Sequence, residues 1–379
     1  MIEIIGKYNA AKIYADALDS SAEGQIKKLL DQSFASGSAI RIMPDVHAGA
    51  GCAIGTSMTV TDKVVPNLVG VDIGCGMETV KLANTRVELP KLDSFIHASI
   101  PAGYDIRETV HKCADELRIH ELRCKKQINL QRGLLSLATL GGGNHFIELD
   151  KDDEGSLYLI VHSGSRNPGL QVAQHYQDEA YKALGAQDEI PFELAYCEGD
   201  LLDDYLHDMA IMQEFAALNR KAIADEIIKG CKLKVDSQFS TIHNYIDLEH
   251  NILRKGAVSA QKGETLLIPI NMRDGALVCE GLGNPDWNFS APHGAGRLMS
   301  RSEAKQSFTL SAYKKEMSGV FSSTVNAETL DECPMAYKSI EDILVQIEQT
   351  ARVVKHIHTI YNFKAGEEQS RGSKKRRIY

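Results

Sequence analysis

The chain has 379 residues, 43% hydrophobic and 25% charged, enough apolar material for a large core. No apolar run approaches membrane-spanning length, and the start, Met1-Ile2-Glu3-Ile4-Ile5-Gly6-Lys7, lacks the basic-then-apolar layout of a secretory signal. A formal net charge of −9 argues against a nucleic-acid partner only at first sight, because nine acids crowd residues 184–219 without one Lys or Arg.

Those acids are Asp188, Glu189, Glu193, Glu198, Asp200, Asp203, Asp204, Asp208 and Glu214. They carry the whole excess, so the remainder is balanced and able to present a local basic face. Eight cysteines follow no CxxC and no regular framework. The chain is therefore read as reduced and cytoplasmic, with cysteine available as ligand or nucleophile and most of the eight as small core residues.

Residues 1–38 read as a short strand, a turn and a helix capped by Ser20 or Ser21. Residues 39–43 read as a strand delivering Pro44-Asp45-Val46-His47 into a glycine-rich turn. The apolar run Leu68, Val69, Val71 then feeds Asp72-Ile73-Gly74-Cys75-Gly76-Met77. An acid and a thiol are thus placed on a tight turn at a strand end, with glycines that permit close backbone approach. Helical patterns follow at 90–98 and 106–136, separated by Pro101 and Gly103.

Gly141-Gly142-Gly143-Asn144-His145-Phe146-Ile147-Glu148 opens a strand whose hairpin partner, 157–161, ends in His162-Ser163-Gly164-Ser165-Arg166. The hairpin brings His145 and His162 together. A helix over 169–183, the acidic segment and a long helix ending near Ile228 come next. A strand over 238–248 presents His243-Asn244, and another over 265–270 leads to Asn271-Met272-Arg273. Pro292-His293-Gly294-Ala295-Gly296-Arg297 is read as opening a helix. The last third is read as mostly helical to His358, then 359–364, then a basic tail with Arg371, Lys374, Lys375, Arg376 and Arg377. The basic tail is read as solvated and disordered, with RNA contact as the alternative. With no repeat and no linker, the reading is an α+β fold in one integrated domain over 1–365, followed by the tail 366–379.

Asp72, Cys75, His145, His162 and His243 are five ligand-type groups at glycine-flanked strand ends. A carboxylate, a thiolate and three imidazoles exceed what one open catalytic ion takes, and suit two ions about 3.5–4 Å apart bridged by the thiolate. The mixed donor set leaves Zn²⁺ and Mn²⁺ both open. His293, with Arg297 one turn along, fits a phosphate site at a helix N-terminus, or a histidine nucleophile toward phosphorus. Arg166, Arg273 and Lys255 are further phosphate candidates. Asp45 and His47 are read as substrate-contacting or as supports for the ligands, a structural turn being the alternative.

These stretches, together with His243-Asn244-Tyr245, run in one order over residues 40–310, and the combination resembles the RtcB family of RNA ligases. The resemblance implies two Mn²⁺ ions, GTP as cosubstrate, and joining of an RNA 3′-phosphate or 2′,3′-cyclic phosphate to a 5′-hydroxyl end, in RNA repair or tRNA splicing. It implies guanylylation of His293. It also implies one ion on Cys75, His162 and His243 and another on Asp72, Cys75 and His145. By the same resemblance, Asn144, Glu148, His243, Asn244, Pro269, Asn271, Met272, His293, Gly294, Ala295, Gly296 and Lys364 line the nucleotide site, and Arg166, Asp45 and His47 face RNA.

The sequence departs from the family pattern in places. Pro269-Ile270-Asn271-Met272-Arg273 stands where many members have Pro-Gly-Ser-Met-Gly, and Ala276 replaces a serine that contacts the nucleotide. Phe363-Lys364-Ala365 stands for a terminal Val-Lys-Gly, so that side of the nucleotide pocket differs. The rival readings are a metal-dependent cyclic phosphodiesterase and a non-catalytic RNA-end binder. The intact ligand set with His293 disfavours the second, because recognition alone needs no nucleophile.

Overall fold

A computed structural model of the chain describes residues 1–185 and 190–365. The basic tail, Asp188 and Glu189 lie outside the described residues. The strand Leu157–Ser163 is buried along its whole length, with apolar side chains pointing both ways, the pattern of a strand covered on both faces. It is central to a seven-stranded antiparallel sheet among the described residues. The strand order is Val235–Ile242, Gly76–Leu82, Leu157–Ser163, Phe146–Lys151, Ala351–Lys364, Gly275–Gly281 and Thr265–Asn271.

Along each strand alternate side chains face opposite sides of the sheet. Ile147, Leu149, Leu159 and Val161 pack with Leu92 and Ile96 of the helix Leu89–Ser99 and with Ile223 and Ile227 of the long helix Gly199–Gly230. Phe146, Tyr158 and Ile160 point the other way and join Met77, Leu267 and Ile357. A six-stranded sheet, in the order Ile2–Ile5, Ala10–Ile13, Ile40–His47, Ile54–Thr59, Ile252–Lys255 and Asn244–Asp247, stands beside the first. A two-stranded ribbon pairs Ala257–Ser259 with Ser290–Pro292. No helix among the described residues is long and apolar enough to cross a membrane.

Several expected elements are corrected. Asp19, not Ser20 or Ser21, caps the first helix, accepting the Ala22 N–H at 2.8 Å. The approach to Asp72 is a helical turn, Pro66–Val69, rather than a strand. Residues 106–136 hold short 3-10 turns, Lys112–Glu116 and Ile119–Glu121, and one brief helix, Leu130–Leu135. The segment 238–248 is two strands in two different sheets, with His243 at the break. The C-terminal part contains the fourteen-residue strand Ala351–Lys364 where helix was expected.

Candidate active site

Two sheets and one ribbon deliver the chemistry to one place. Asp72 lies in the turn after Pro66–Val69, and Cys75 immediately precedes Gly76–Leu82. His145 stands just before Phe146–Lys151 and His162 near the end of Leu157–Ser163; their ring centroids are 5.2 Å apart. The chain crosses between sheets at His243, whose N–H donates to the Cys75 carbonyl at 2.9 Å.

The orientation of the rings follows from their outer hydrogen bonds. His145 donates through Nδ1 to the Leu140 carbonyl at 3.0 Å, and His162 through Nδ1 to the Asn144 carbonyl at 3.0 Å. A carbonyl only accepts, so the His162 proton sits on Nδ1; His145 meets an acceptor at each ring nitrogen, and both Nε2 atoms turn inward. Each Nε2 lies 3.4 Å from Cys75 Sγ, and His145 Nε2 is 3.0 Å from Asp72 Oδ2. His243 Nδ1 is buried with no hydrogen-bond partner. The donors form two triads, Asp72–Cys75–His145 and Cys75–His162–His243, each with its atoms within 4.8 Å of one another, and Cys75 belongs to both.

Electron-pair donors this close repel unless a proton or cation lies among them. Burial, and then the Asp72 charge, push the Cys75 thiol well above its usual range. Burial with neighbouring histidine charge pushes His162 and His243 well below theirs. Burial alone would raise Asp72, yet the His145 hydrogen bond and charge, followed by Arg166, hold it below the usual carboxylate range. The His162 and His243 imidazoles favoured as neutral, the His145 ring, an ionised carboxylate and a thiol that a cation would deprotonate form a set that fits divalent ions. Gly164 completes the cradle, since a Cβ there would run into the Asp72 carboxylate.

His293 stands beside this cluster. Its ring centroid is 5.0 Å from that of His243, and its Nδ1 is 2.6 Å from Oδ2 of the buried Asp45. The same Oδ2 accepts the His293 N–H at 3.1 Å. Burial opposes the charged ring, but the Asp45 charge and contact, helped by the Gly256 backbone, outweigh it and raise His293 above an ordinary histidine. Gly296 lets the following turn wrap Asp45: its φ is +77° and a Cβ would lie 2.9 Å from Asp45 Cα.

A family model described as tRNA-splicing ligase RtcB matches residues 30–122 and 92–365. The RNA-splicing ligase RtcB of Escherichia coli K12 is 33% identical over 83% of this chain and 87% of its own length. The tRNA-splicing ligase RtcB of Aeropyrum pernix is 27% identical over 80% of this chain and 82% of its own. For the RNA-splicing ligase RtcB of Mycobacterium tuberculosis the identity is 25%, over 80% and 90%. The chain belongs to the RtcB family.

Around this RtcB centre the remaining predicted residues fall into two groups. Arg166 is close, with Nη1 3.3 Å from His145 Nδ1. Glu148 accepts from Asn362 Nδ2 at 2.5 Å on the neighbouring strand, and Lys364 lies over the Phe146 ring at 5.5 Å while pairing with Glu332. Asn244 Oδ1 accepts the Gly256 N–H at 3.0 Å, and Ala295 N–H donates to the Pro269 carbonyl at 3.0 Å, next to Gly294. His47 is turned back on its own strand, Nδ1 to the Asp45 carbonyl at 3.0 Å.

The others are engaged away from the centre. Asn271 closes its own turn through the Arg273 and Asp274 N–H groups, and Met272 is buried under Tyr313. Arg273 pairs with Asp274 and Glu316, and Lys255 donates to the Ala50 and Asn67 carbonyls. His293 does not open a helix: it follows Ser290–Pro292, and the next helix is Arg301–Ser307. The helix-terminus phosphate site is therefore absent, and Arg297 is held by Glu332, Tyr337 and the Asp331 carbonyl.

Two residues of the long helix escaped the sequence reading. Asn219 Oδ1 accepts the Thr139 N–H at 3.1 Å, and its Nδ2 donates to the Thr139 carbonyl, Ser163 Oγ and the Gly164 carbonyl at 3.2, 2.9 and 3.1 Å. Arg220 Nη1 donates to the Gly74 and Ser163 carbonyls at 2.6 and 3.1 Å. Both are fully buried and tie the Asp72, His145 and His162 turns to one rod. The available signal was a polar pair between the apolar turns Phe215-Ala216 and Ile223-Ala224. Asn219→Ala leaves those backbone groups unsatisfied, and the expected loss is about 2–4 kcal/mol in urea unfolding. A variant as stable as the parent would show that the turns hold themselves.

Proposed function

We propose that this RtcB protein seals RNA breaks by joining a 3′-phosphate or 2′,3′-cyclic phosphate end to a 5′-hydroxyl end, using GTP and two Mn²⁺ ions. RNA ligation itself follows from family membership. The observation that carries the finer reading is the placement of His293: next to the donor cluster, outside both triads, with a buried carboxylate on Nδ1. Because His293 lies outside both triads, the carboxylate orients a ring that is free to act on the substrate.

Nδ1 faces the Asp45 carboxylate at 2.6 Å, so Nε2 is the ring nitrogen left for attack on phosphorus. The carboxylate also stabilises the positive charge the ring gains as it bonds. Cys75, His162 and His243 would hold one ion, and Asp72, Cys75 and His145 the other. Bound there, the ions would neutralise phosphate charge and polarise the reacting oxygens. Cys75 gives up its proton on coordination, which a reducing cytoplasm permits without loss of the thiol to oxidation. Arg166, close to Asp72 and His145, supplies positive charge toward an RNA phosphate. Glu148, Asn362 and Lys364 present hydrogen-bonding groups on adjacent strands where the base of the nucleotide would sit.

Incubation with α-labelled GTP and Mn²⁺ is expected to leave one GMP on His293 through a nitrogen–phosphorus bond, labile to acid and stable to base. Peptide mapping that finds the label on a lysine, or no label, would overturn the nucleophile. In sealing assays, a 3′-phosphate with a 5′-hydroxyl should be joined, and a phosphate on the 5′ end should block the attacking oxygen. Efficient sealing of 5′-phosphate and 3′-hydroxyl ends would reveal the opposite polarity of chemistry.

Metal stoichiometry at saturating Mn²⁺ tests the ligand assignment. His145→Ala should weaken one ion and spare much of the other. Cys75→Ala should weaken both, because it also removes the anion that screens their repulsion. His293→Ala should keep both ions and lose the adduct. Two tightly held ions in Cys75→Ala would place the bridge elsewhere.

A further inference from the structure

Where the 107–116 segment packs against the long helix, a second thiol meets a histidine. His111 is the residue before the 3-10 turn Lys112–Glu116, and its Nδ1 accepts the Cys113 N–H at 3.3 Å. An Nδ1 that accepts carries no proton, so the proton of this neutral ring is on Nε2. Nε2 lies 3.1 Å from Glu226 Oε1, and the second Glu226 oxygen accepts from Arg107 Nη2 at 2.7 Å. The single Nδ1 lone pair is thus shared between the Cys113 N–H and the Cys113 thiol, whose Sγ is 2.8 Å away. Thiol, base and a carboxylate that orients the base stand in one line, the arrangement of an assisted nucleophile.

The setting differs from that of the other cysteines. Cys52 and Cys197 direct their thiols only to the backbone carbonyls of Glu193 and Tyr176. Cys113 borders a cleft of about 940 Å³ between the 107–116 segment and the long helix. Arg107 pairs with Glu226 and Lys221 with Asp225, which leaves Lys112 and Lys229 on the cleft against Glu116. The balance favours a small anionic partner.

We propose that Cys113 is a covalent modification site, at which His111 and Glu226 assist exchange with a small anionic disulfide. His111 Nδ1 takes the thiol proton as Sγ attacks one sulfur of the disulfide. A new S–S bond forms to Cys113 while the original one breaks, and the departing thiolate collects the proton from Nδ1. One thiol and one disulfide give one mixed disulfide and one thiol, with no net oxidation. Burial raises the Cys113 thiol to about 11, so it rests protonated, and burial also lowers His111, which leaves the ring a free base. Proton transfer during attack is what such a pair provides.

The test uses the folded, Mn²⁺-loaded protein with oxidised glutathione at neutral pH, followed by peptide mass spectrometry over time. The adduct is expected on Cys113 sooner than on the partly exposed Cys231, and a thiol reductant should remove it. His111→Asn keeps a side-chain acceptor for the Cys113 N–H while removing the base. It should slow the adduct about tenfold or more and leave Cys231 unchanged. Glu226→Gln should slow it in the same direction, and decides the matter where His111→Asn fails to fold. Modification of Cys231 with Cys113 untouched, or an unchanged Cys113 rate in the folded variants, would overturn the proposal.

Discussion

Everything in this structure answers to one electrostatic difficulty: five electron-pair donors are held facing each other in a buried space. Asp72 Oδ2 and Cys75 Sγ lie 3.0 and 3.4 Å from the same His145 nitrogen. Such a set relaxes apart unless its backbone is fixed independently of it. The fixing is done from outside the cluster. Leu140 and Asn144 carbonyls set the two rings, Ser165 N–H holds Asp72 Oδ1 at 2.9 Å, and Asn219 with Arg220 ties the turns to the long helix. The polar pair acts with the apolar contacts of Ile223 and Ile227 to fix the 32-residue helix against the sheet.

The position of His243 carries the same logic to the scale of the fold. Its neighbours belong to different sheets, Val235–Ile242 to one and Asn244–Asp247 to the other. Gly256 N–H donates to the His243 carbonyl at 2.7 Å, and Gly74 N–H to the Asn244 carbonyl at 2.7 Å. The crossing point is thus bonded to both the Cys75 turn and the ribbon that leads to His293. Cys75, His145, His162 and His243 all stand at strand ends of the seven-stranded sheet, so both triads are built at one edge of it, and the crossing at His243 ties that edge to the second sheet.

Much of this was legible in the sequence because ligand-type residues beside glycines have a physical signature. Asp72 needs a neighbour without a Cβ at Gly164, and Asp45 needs one at Gly296. Glycine marked those places before any coordinates did. What stayed hidden was decided at long range. Residues 106–136 have helix-forming composition, but the Asp208 carboxylate accepts the Arg123 and Cys124 N–H groups at 2.8 and 2.9 Å and withdraws them from any helical ladder. The strand Ala351–Lys364 slips register against both neighbours, near Cys279 and near Tyr361. Its two-residue alternation is broken where a reader would look for it. Asn219 and Arg220 gave a weak signal because a polar pair on a long helix is commonly a solvated face.

The departures from the family pattern redirect base recognition within the proposed reading. Asn271 Oδ1 is taken by two backbone N–H groups and its Nδ2 by Asp274 at 2.8 Å, while Arg273 is held by Asp274 and Glu316. That turn closes on itself and has little left for a nucleotide. Selection then falls to the adjacent strands, where Glu148 faces Asn362 and Lys364 stands one alternation further. Guanine offers donors on its Watson–Crick edge, so it wants an ionised carboxylate, whereas a protonated carboxyl would offer a donor of its own. Burial pushes Glu148 up to about 7, against the opposing pull of Asn362 and the Lys364 charge. Asp150, fully buried on the same strand face, is pushed well above the usual carboxylate range by burial and then by the Glu148 charge. A protonated Asp150 leaves Glu148 as the acid of the pair that ionises first. Within the proposed reading, Glu148 rather than Asp150 would then be the carboxylate that accepts from guanine.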